Sequence, residues 1–243
     1  MIDMKVLNKK ISFYIPSVFT ALNLLLGFFA LLINEPLAGC LLILAGAGMD
    51  VLDGAAARLF NSRSETGKQL DSLADMVTFG VAPAFLYYHY VLPAGWISIA
   101  ATGMLPAGAA IRLARFNVST NQKNIFRGLP SPASGLFFAA FPLFEGFFPL
   151  PSFILLMLPV IAALLMNSNF PMFSAKTLKY GLQENIPALI FIVISAGIFI
   201  FLIAFREIPA EQGILVSIPL MVVVYLLVSL LLGKKIRKLE DMA

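Results

Sequence analysis

Apolar runs of about 20 residues, the length a membrane-spanning helix needs, recur along the chain between short polar or Pro/Gly-containing breaks. Windows of that kind fit 15–33, 36–59, 69–92, 95–117, 132–149, 151–167, 186–205 and 213–232. The breaks carry Asn34-Glu35-Pro36, Pro93-Ala94-Gly95, Pro149-Leu150-Pro151 and Pro209. In lipid, such runs form helices because every backbone N–H and C=O must find an internal partner. The pattern predicts an all-α, polytopic integral membrane helix bundle with about eight transmembrane helices. The fifth and sixth windows are short and flanked by proline. The stretch 1–10 is polar and basic and no small-residue cleavage signal follows it, so the first window reads as a retained span. No repeat or low-complexity segment interrupts the chain, and 1–243 reads as a single membrane domain.

Composition agrees with that pattern. Of the 243 residues 60% are hydrophobic and 12% charged, against roughly 25% charged in soluble domains. The mean hydropathy is +0.91. A cytosolic enzyme, a disordered region and a disulfide scaffold are excluded. Cys40 is the single cysteine, which leaves no disulfide and no cysteine metal site, and it reads as a small apolar filler.

Charge sets orientation. Of the 17 Lys+Arg, only Arg206 falls outside one set of loops. Lys5, Lys9 and Lys10 precede the first window, and Arg58, Arg63 and Lys68 surround the turn after the second. Arg112, Arg115, Lys123 and Arg127 follow the fourth, Lys176 and Lys179 the sixth, and Lys234, Lys235, Arg237 and Lys238 the eighth. The positive-inside rule assigns that face, and with it both termini, to the cytoplasm. The basic excess therefore points to anionic lipid, with no nucleic acid partner. Glu35, Glu145, Glu207 and Glu211 lie opposite, where Tyr87, Tyr88, Tyr90 and Trp96 form an aromatic belt around His89. His89 reads as an interfacial polar residue.

Four of the 13 acidic residues contradict the apolar pattern: Asp50 and Asp53 in the second window, Asp71 and Asp75 in the third. An ionised carboxylate at mid-bilayer costs about 2.5–3.5 kcal/mol on insertion scales, so four uncompensated ones approach or exceed roughly 10 kcal/mol. They must face a polar cavity and hold partners. Positions 50, 53, 54, 57 and 58 form one helical stripe, and 67, 71 and 75 another. An antiparallel turn around Asn61–Ser64 sets Asp50 opposite Asp75 and Asp53 opposite Asp71, two to three turns from the cytoplasmic end. Four close carboxylates bind protons or cations. With only oxygen ligands, the cations are hard ones such as Mg²⁺, Mn²⁺ or Ca²⁺, and two could be held by shared ligands. Gly54 and Gly67 remove side chains beside the carboxylates, and Arg58 could clamp a phosphate there. From the carboxylates alone, phosphoryl chemistry on metals and a proton or sodium path through a cation transporter stand level.

The whole string is more specific. Asp50-x2-Asp53-Gly54-x2-Ala57-Arg58-x8-Gly67-x3-Asp71-x3-Asp75 resembles, complete in residue type and spacing, the signature of the CDP-alcohol phosphotransferases, integral membrane enzymes of phospholipid synthesis. The resemblance implies that Asp50, Asp53, Asp71 and Asp75 bind two divalent cations, Mg or Mn, and that Asp75 also deprotonates the acceptor alcohol. It places Gly54, Ala57, Arg58, Ser64 and Gly67 at the CDP moiety, joined by Ser17 and Thr20 of the first helix. The segment Pro16-Ser17-Val18-Phe19-Thr20, with Asn23, has Ser17 where the family often has Asn. The family commonly forms homodimers, which the resemblance carries to this chain.

Three further stretches are similar to the serine-transferring branch: Phe79–Ala84, Arg112–Asn117 and Phe126–Ala133. With them the resemblance spans 15–135. The branch implies transfer of a phosphatidyl group from CDP-diacylglycerol to L-serine with release of CMP, at a site facing the cytoplasm. Archaeal members with an archaetidyl donor share these stretches, so the lipid tail stays open. Acceptors such as glycerol 3-phosphate, inositol or inositol phosphate stay open too. Arg112 and Arg115, spaced i, i+3, suit a serine carboxylate; Asn117 suits its amine; Arg127 adds to the basic rim. Each serves equally as a positive-inside anchor, and Lys123 reads as a loop charge. Gly128–Pro132 is too rich in breakers for helix and reads as a turn capping the pocket.

Overall fold

A computed structural model describes residues 4–33, 35–62, 64–118, 126–172, 186–206 and 208–232. Outside the described residues, or outside their described side chains, lie Lys5, Lys9, Lys10, Arg63, Lys123, Lys176, Lys179, Arg206, Glu207, Glu211, Lys234, Lys235, Arg237 and Lys238. The described chain is almost entirely helical. In order run α1 (Met4–Ile33), α2 (Pro36–Leu59), α3 (Glu65–Asp75), a π-helical stretch (Met76–Val81), α4 (Ala82–Val91), α5 (Trp96–Val118), α6 (Ser131–Phe147), α7 (Ser152–Met166), α8 (Ile186–Arg206) and α9 (Ala210–Leu231). Among the described residues four segments are long and apolar enough to cross a membrane: Tyr14–Ile33, Pro36–Leu59, Trp96–Val118 and Gln212–Leu231. Ser152–Met166 and Ala188–Ala204 are shorter apolar helices.

Local chemistry sets the ends of α2 and α3. Pro36 occupies the first turn of α2, where its missing N–H costs nothing. The Glu35 carboxylate accepts from the N–H groups of Leu37 (3.0 Å) and Ala38 (2.6 Å). The connection to α3 passes through Asn61 at φ 48, a left-handed conformation that Asn tolerates. Ser64 then caps α3, its hydroxyl accepting from Gly67 N at 3.0 Å.

The third apolar window is not one regular helix. It starts earlier, at Glu65, and is interrupted immediately after Asp75 by the π-helical stretch. Such insertions recur at functional sites because they re-aim side chains without breaking the helix. Neighbours come unusually close here. A Cβ on Gly27 would sit 2.8 Å from Thr78 Cα, and one on Gly135 would sit 2.7 Å from Phe79 Cα. Only glycine lets α1 and α6 approach that backbone. On α1 the residues facing inward are Thr20, Asn23, Gly27 and Ala30, one helical stripe. Beyond the π-helical stretch, buried Tyr87 anchors α4: its hydroxyl donates to Leu155 O of α7 at 2.8 Å, and its ring meets Phe138 of α6 edge-on at 4.9 Å.

The all-α expectation needs one small amendment. Phe126–Arg127 (β1) pairs antiparallel with Pro171–Met172 (β2). Gly128, at φ 73, makes this possible. A side chain there would fall 2.5 Å from Met166 O, so the turn lies directly on the end of α7. Gly128 N donates to Phe170 O at 2.9 Å and Leu129 N to Leu165 O at 3.0 Å, which satisfies carbonyls at the α7 terminus and delivers Pro130 to the start of α6.

Two glycines of α6 test this packing. Gly135→Ala is expected to lower the thermal midpoint in detergent, since overpacking against backbone costs about 1–3 kcal/mol. Gly146→Ala, with no atom of the described residues within 4 Å of the added one, should leave it unchanged or slightly raised by helix propensity.

Candidate active site

Asp50 and Asp53 project from α2 and Asp71 from α3. One carboxylate oxygen from each lies within 4.8 Å of the other two. Asp53 is 6% exposed and its Oδ2 lies 2.9 Å from the Thr20 hydroxyl of α1, which also lies 3.0 Å from Pro16 O. Asp71 Oδ1 is buried without a hydrogen-bond partner among the described residues. A buried orphaned carboxylate oxygen beside two further carboxylates is an arrangement that a cation completes. With oxygen donors only, the three residues fit a hard divalent ion.

Asp75 lies one turn further along α3, 8% exposed. Asn23, fully buried on α1, donates from Nδ2 to Asp75 Oδ1 at 3.2 Å. The Asn23 carbonyl accepts from the Thr78 hydroxyl of the π-helical stretch at 2.9 Å. One residue of α1 thus ties the Asp75 side chain to the backbone irregularity that follows it. With Asp50 and Asp71, Asp75 lines a cavity of about 720 Å³. Thr78 carried no sequence signal. Asn23 did carry one, standing i, i+3 from Thr20 in the otherwise apolar part of α1 that follows Ser17.

The residues matched to the CDP moiety divide into two groups. Gly54 opens a gap on α2: among the described residues the one neighbouring atom within 4 Å of its missing side chain is Arg58 Nη1, 3.8 Å from where Cβ would be. Arg58 is exposed, Ala57 is half-buried beside it, and Ser17 is half-buried one turn before Thr20. Ser64 and Gly67 are engaged with each other in the α3 cap, so their presence has a local structural reason.

The acceptor candidates also separate. Arg112, on α5, lines the cavity with Asp50, Asp71 and Asp75. Its Nη1 donates to Ser131 Oγ of α6 at 2.8 Å, and its Nε is buried without a partner among the described residues. Arg115 does not line the cavity; it donates to Asn167 O at the end of α7, 3.2 Å away, where a cation is favoured by the helix dipole. Arg127 is exposed in β1. Asn117 joins α5 to α3, donating to Gln69 Oε1 (3.2 Å) and Ser72 Oγ (2.9 Å) while its own carbonyl accepts from Lys68 Nζ (2.7 Å). Asn117 thus sets Arg112 at a fixed offset from the aspartates of α3. The Gly128–Pro132 stretch is turn only as far as Pro130, because Pro132 sits in the first turn of α6 where its missing N–H costs nothing; Pro130 and Pro132 line the same cavity.

The fold and the site define a helical membrane protein with an acidic cluster at the edge of a largely apolar cavity. Residues 13–177 match the model of the CDP-alcohol phosphatidyltransferase family, and the chain belongs to that family. It is 35% identical over 187 residues to the CDP-diacylglycerol–serine O-phosphatidyltransferase of Helicobacter pylori (strain ATCC 700392 / 26695), covering 73% of this chain and 79% of the relative. The Bacillus subtilis (strain 168) protein of the same name is 38% identical over 129 residues, 51% of this chain and 72% of the relative. The archaetidylserine synthase of Methanothermobacter thermautotrophicus is 33% identical over 172 residues, 68% and 73% of the two chains.

Cation binding at the cluster has a signature in stability. Mn²⁺ in hundredfold excess over its dissociation constant is expected to stabilise the protein by about 2.7 kcal/mol, read as a rise in thermal midpoint. Asp71→Asn should abolish the rise and leave the cation-free protein no less stable, because it removes a repelling charge.

Proposed function

We propose that this chain is a CDP-diacylglycerol–serine O-phosphatidyltransferase. The supporting observation is that Arg112, oriented by Ser131, lines the same cavity as Asp50, Asp71 and Asp75. An amino-acid carboxylate on that guanidinium brings its hydroxyl toward the aspartates. The names of the relatives agree with this choice of acceptor.

In this reading Asp50, Asp53, Asp71 and Asp75 hold two divalent ions, Mg or Mn. Ions so held supply Lewis-acid stabilisation of charge on the pyrophosphate oxygens. The protein does the rest. Asp75, steadied by Asn23, accepts the proton of the serine hydroxyl. The serine oxygen attacks the phosphorus that bears diacylglycerol, the bond from that phosphorus to the bridging oxygen breaks, and CMP leaves with the electron pair. The opening over Gly54 admits the pyrophosphate, with Ser17, Thr20 and Ala57 along its border, and Arg58 meets the leaving charge. Ser64 and Gly67 hold the start of α3 in place beneath it. Asn117 keeps the α3 aspartates in register with Arg112. Arg115 and Arg127 belong to the basic rim, away from the acceptor.

The bundle crosses the cytoplasmic membrane about eight times as one domain, with both termini and the site on the cytoplasmic side, and works as a homodimer. The bias of Lys and Arg toward one set of loops supports that orientation.

Purified protein with CDP-diacylglycerol, labelled serine and Mn²⁺ or Mg²⁺ is expected to give labelled lipid and CMP. Asp75→Asn should lose turnover. Arg112→Lys, which replaces a planar fork by a point charge, should raise the serine KM about tenfold or more while the donor KM stays near its original value. Arg115→Lys should leave both near wild type. Turnover with inositol or glycerol 3-phosphate in place of serine would overturn the acceptor. Ion flux without donor turnover would overturn the enzyme.

A further inference from the structure

The cavity is shared unequally between polar and apolar walls. Its polar groups, Asp50, Asp71, Asp75 and Arg112, come from α2, α3 and α5. Five of its apolar and aromatic lining residues belong to α9, which with α8 lies beyond residue 177 and so outside the family match. On α9 the lining residues Ile214, Ile218, Met221, Val222 and Tyr225 fall on one helical stripe. From Tyr225 to Ile214 that stripe runs about 16 Å at 1.5 Å per residue. Tyr225 marks its polar end. It stacks edge-on against Phe191 of α8 at 6.2 Å and lies within electrostatic reach of Arg112. Ile214, at the other end, is 54% exposed. The cavity therefore joins charged groups at one end of the α9 stripe to exposed aliphatic side chains at the other.

Only an amphiphile matches such a space. A serine or a nucleotide would leave the α9 stripe facing water, and a bulk hydrocarbon would leave the carboxylates and Arg112 desolvated without partners. Resting on the donor proposed above, we propose that α9 gauges the lipid tail of that donor. One acyl chain lies along Ile214, Ile218 and Met221, and Tyr225 fixes the level at which chain gives way to headgroup. The terminal helix is then the element that sets the chain preference of the enzyme.

The test compares two donors with one headgroup, dihexanoyl- and dipalmitoyl-CDP-diacylglycerol, in the same micelles. Apolar pockets discriminate even single methylene groups by about 10–200-fold, so Met221→Trp and Ile218→Trp should lower the long-chain to short-chain ratio of kcat/KM about tenfold or more. Val223→Trp, on the outward face of the same helix, should leave the ratio unchanged. An unchanged ratio in both cavity variants overturns the assignment. A donor with a photoactivatable group at the end of its acyl chain gives a second readout that needs no variant: crosslinks within 214–221 support it, and crosslinks confined to α1–α7 overturn it. Serine transfer by the wild-type protein with either donor separates these outcomes from a failure of the proposed reaction itself.

Discussion

The placement of four carboxylates inside an apolar bundle governs most of what surrounds them. Asp50, Asp53 and Asp71 approach one another closely enough for each to raise the cost of ionising the others. The chain compensates through α1, the only helix that supplies a hydrogen-bonding side chain to both aspartate-bearing helices among the described residues. Thr20 meets Asp53 on α2 and Asn23 meets Asp75 on α3. For α1 to lie that deep its next turn must be bare, which accounts for Gly27 against Thr78. The π-helical stretch brings the Thr78 hydroxyl back to the Asn23 carbonyl. Even so, Asp71 keeps a buried oxygen with no partner among the described residues, and that residual deficit is what a cation would remove.

Helix α5 shows how three neighbouring polar residues acquire different tasks. Its buried face runs through Leu105, Ala109 and Leu113. Arg112 adjoins that face and meets the start of α6. Arg115, nearly a turn later, clears the core and reaches the Asn167 carbonyl at the end of α7, where the helix dipole favours its charge. Asn117 falls back over α3. In sequence the two arginines were equivalent and Asn117 was their hydrogen-bonding companion; the different contacts of the three arise from helical phase relative to α3, α6 and α7. No spacing rule within α5 contains that phase.

The acidic cluster was legible because it violates a strong regularity. Charges in an apolar window demand explanation, and the 3.6-residue period assigns them to facing stripes on adjacent helices. Most helix positions were legible for the same reason; the exceptions are α1, which begins at Met4 within the basic stretch ahead of its apolar window, and α3, where Glu65, Lys68 and Asp71 dilute the apolar signal at its start. Local chemistry also had two meanings at Ser64 and Gly67, where a cap and a substrate contact call for the same residue types. The π-helical stretch was not legible, since Met76–Val81 has ordinary helical composition and its irregularity depends on α1 and α6 packing from outside. The β1–β2 pair depends on residues far apart in sequence that meet only once Gly128 has turned. The α9 wall was hidden differently: a stripe of aliphatic residues facing a cavity reads, in sequence, like one facing lipid.

That last ambiguity bears on how such a site works. A reaction joining a water-soluble alcohol to a lipid-borne phosphate must receive its two substrates from different phases. In the proposed reading, the aspartates lie a few turns within the helices, near the level where water and lipid meet. Above Gly54 and Arg58 the surface is open and charged; along α9 it is apolar and open to the side. A deeper cluster would exclude the acceptor, and a shallower one would lift the donor's chains out of the bilayer at about 0.8 kcal/mol per exposed methylene. The depth of Asp50 and Asp75 on their helices is therefore a compromise between two solvents, and Tyr225, apolar in its ring and polar at its tip, stands where that boundary crosses the cavity.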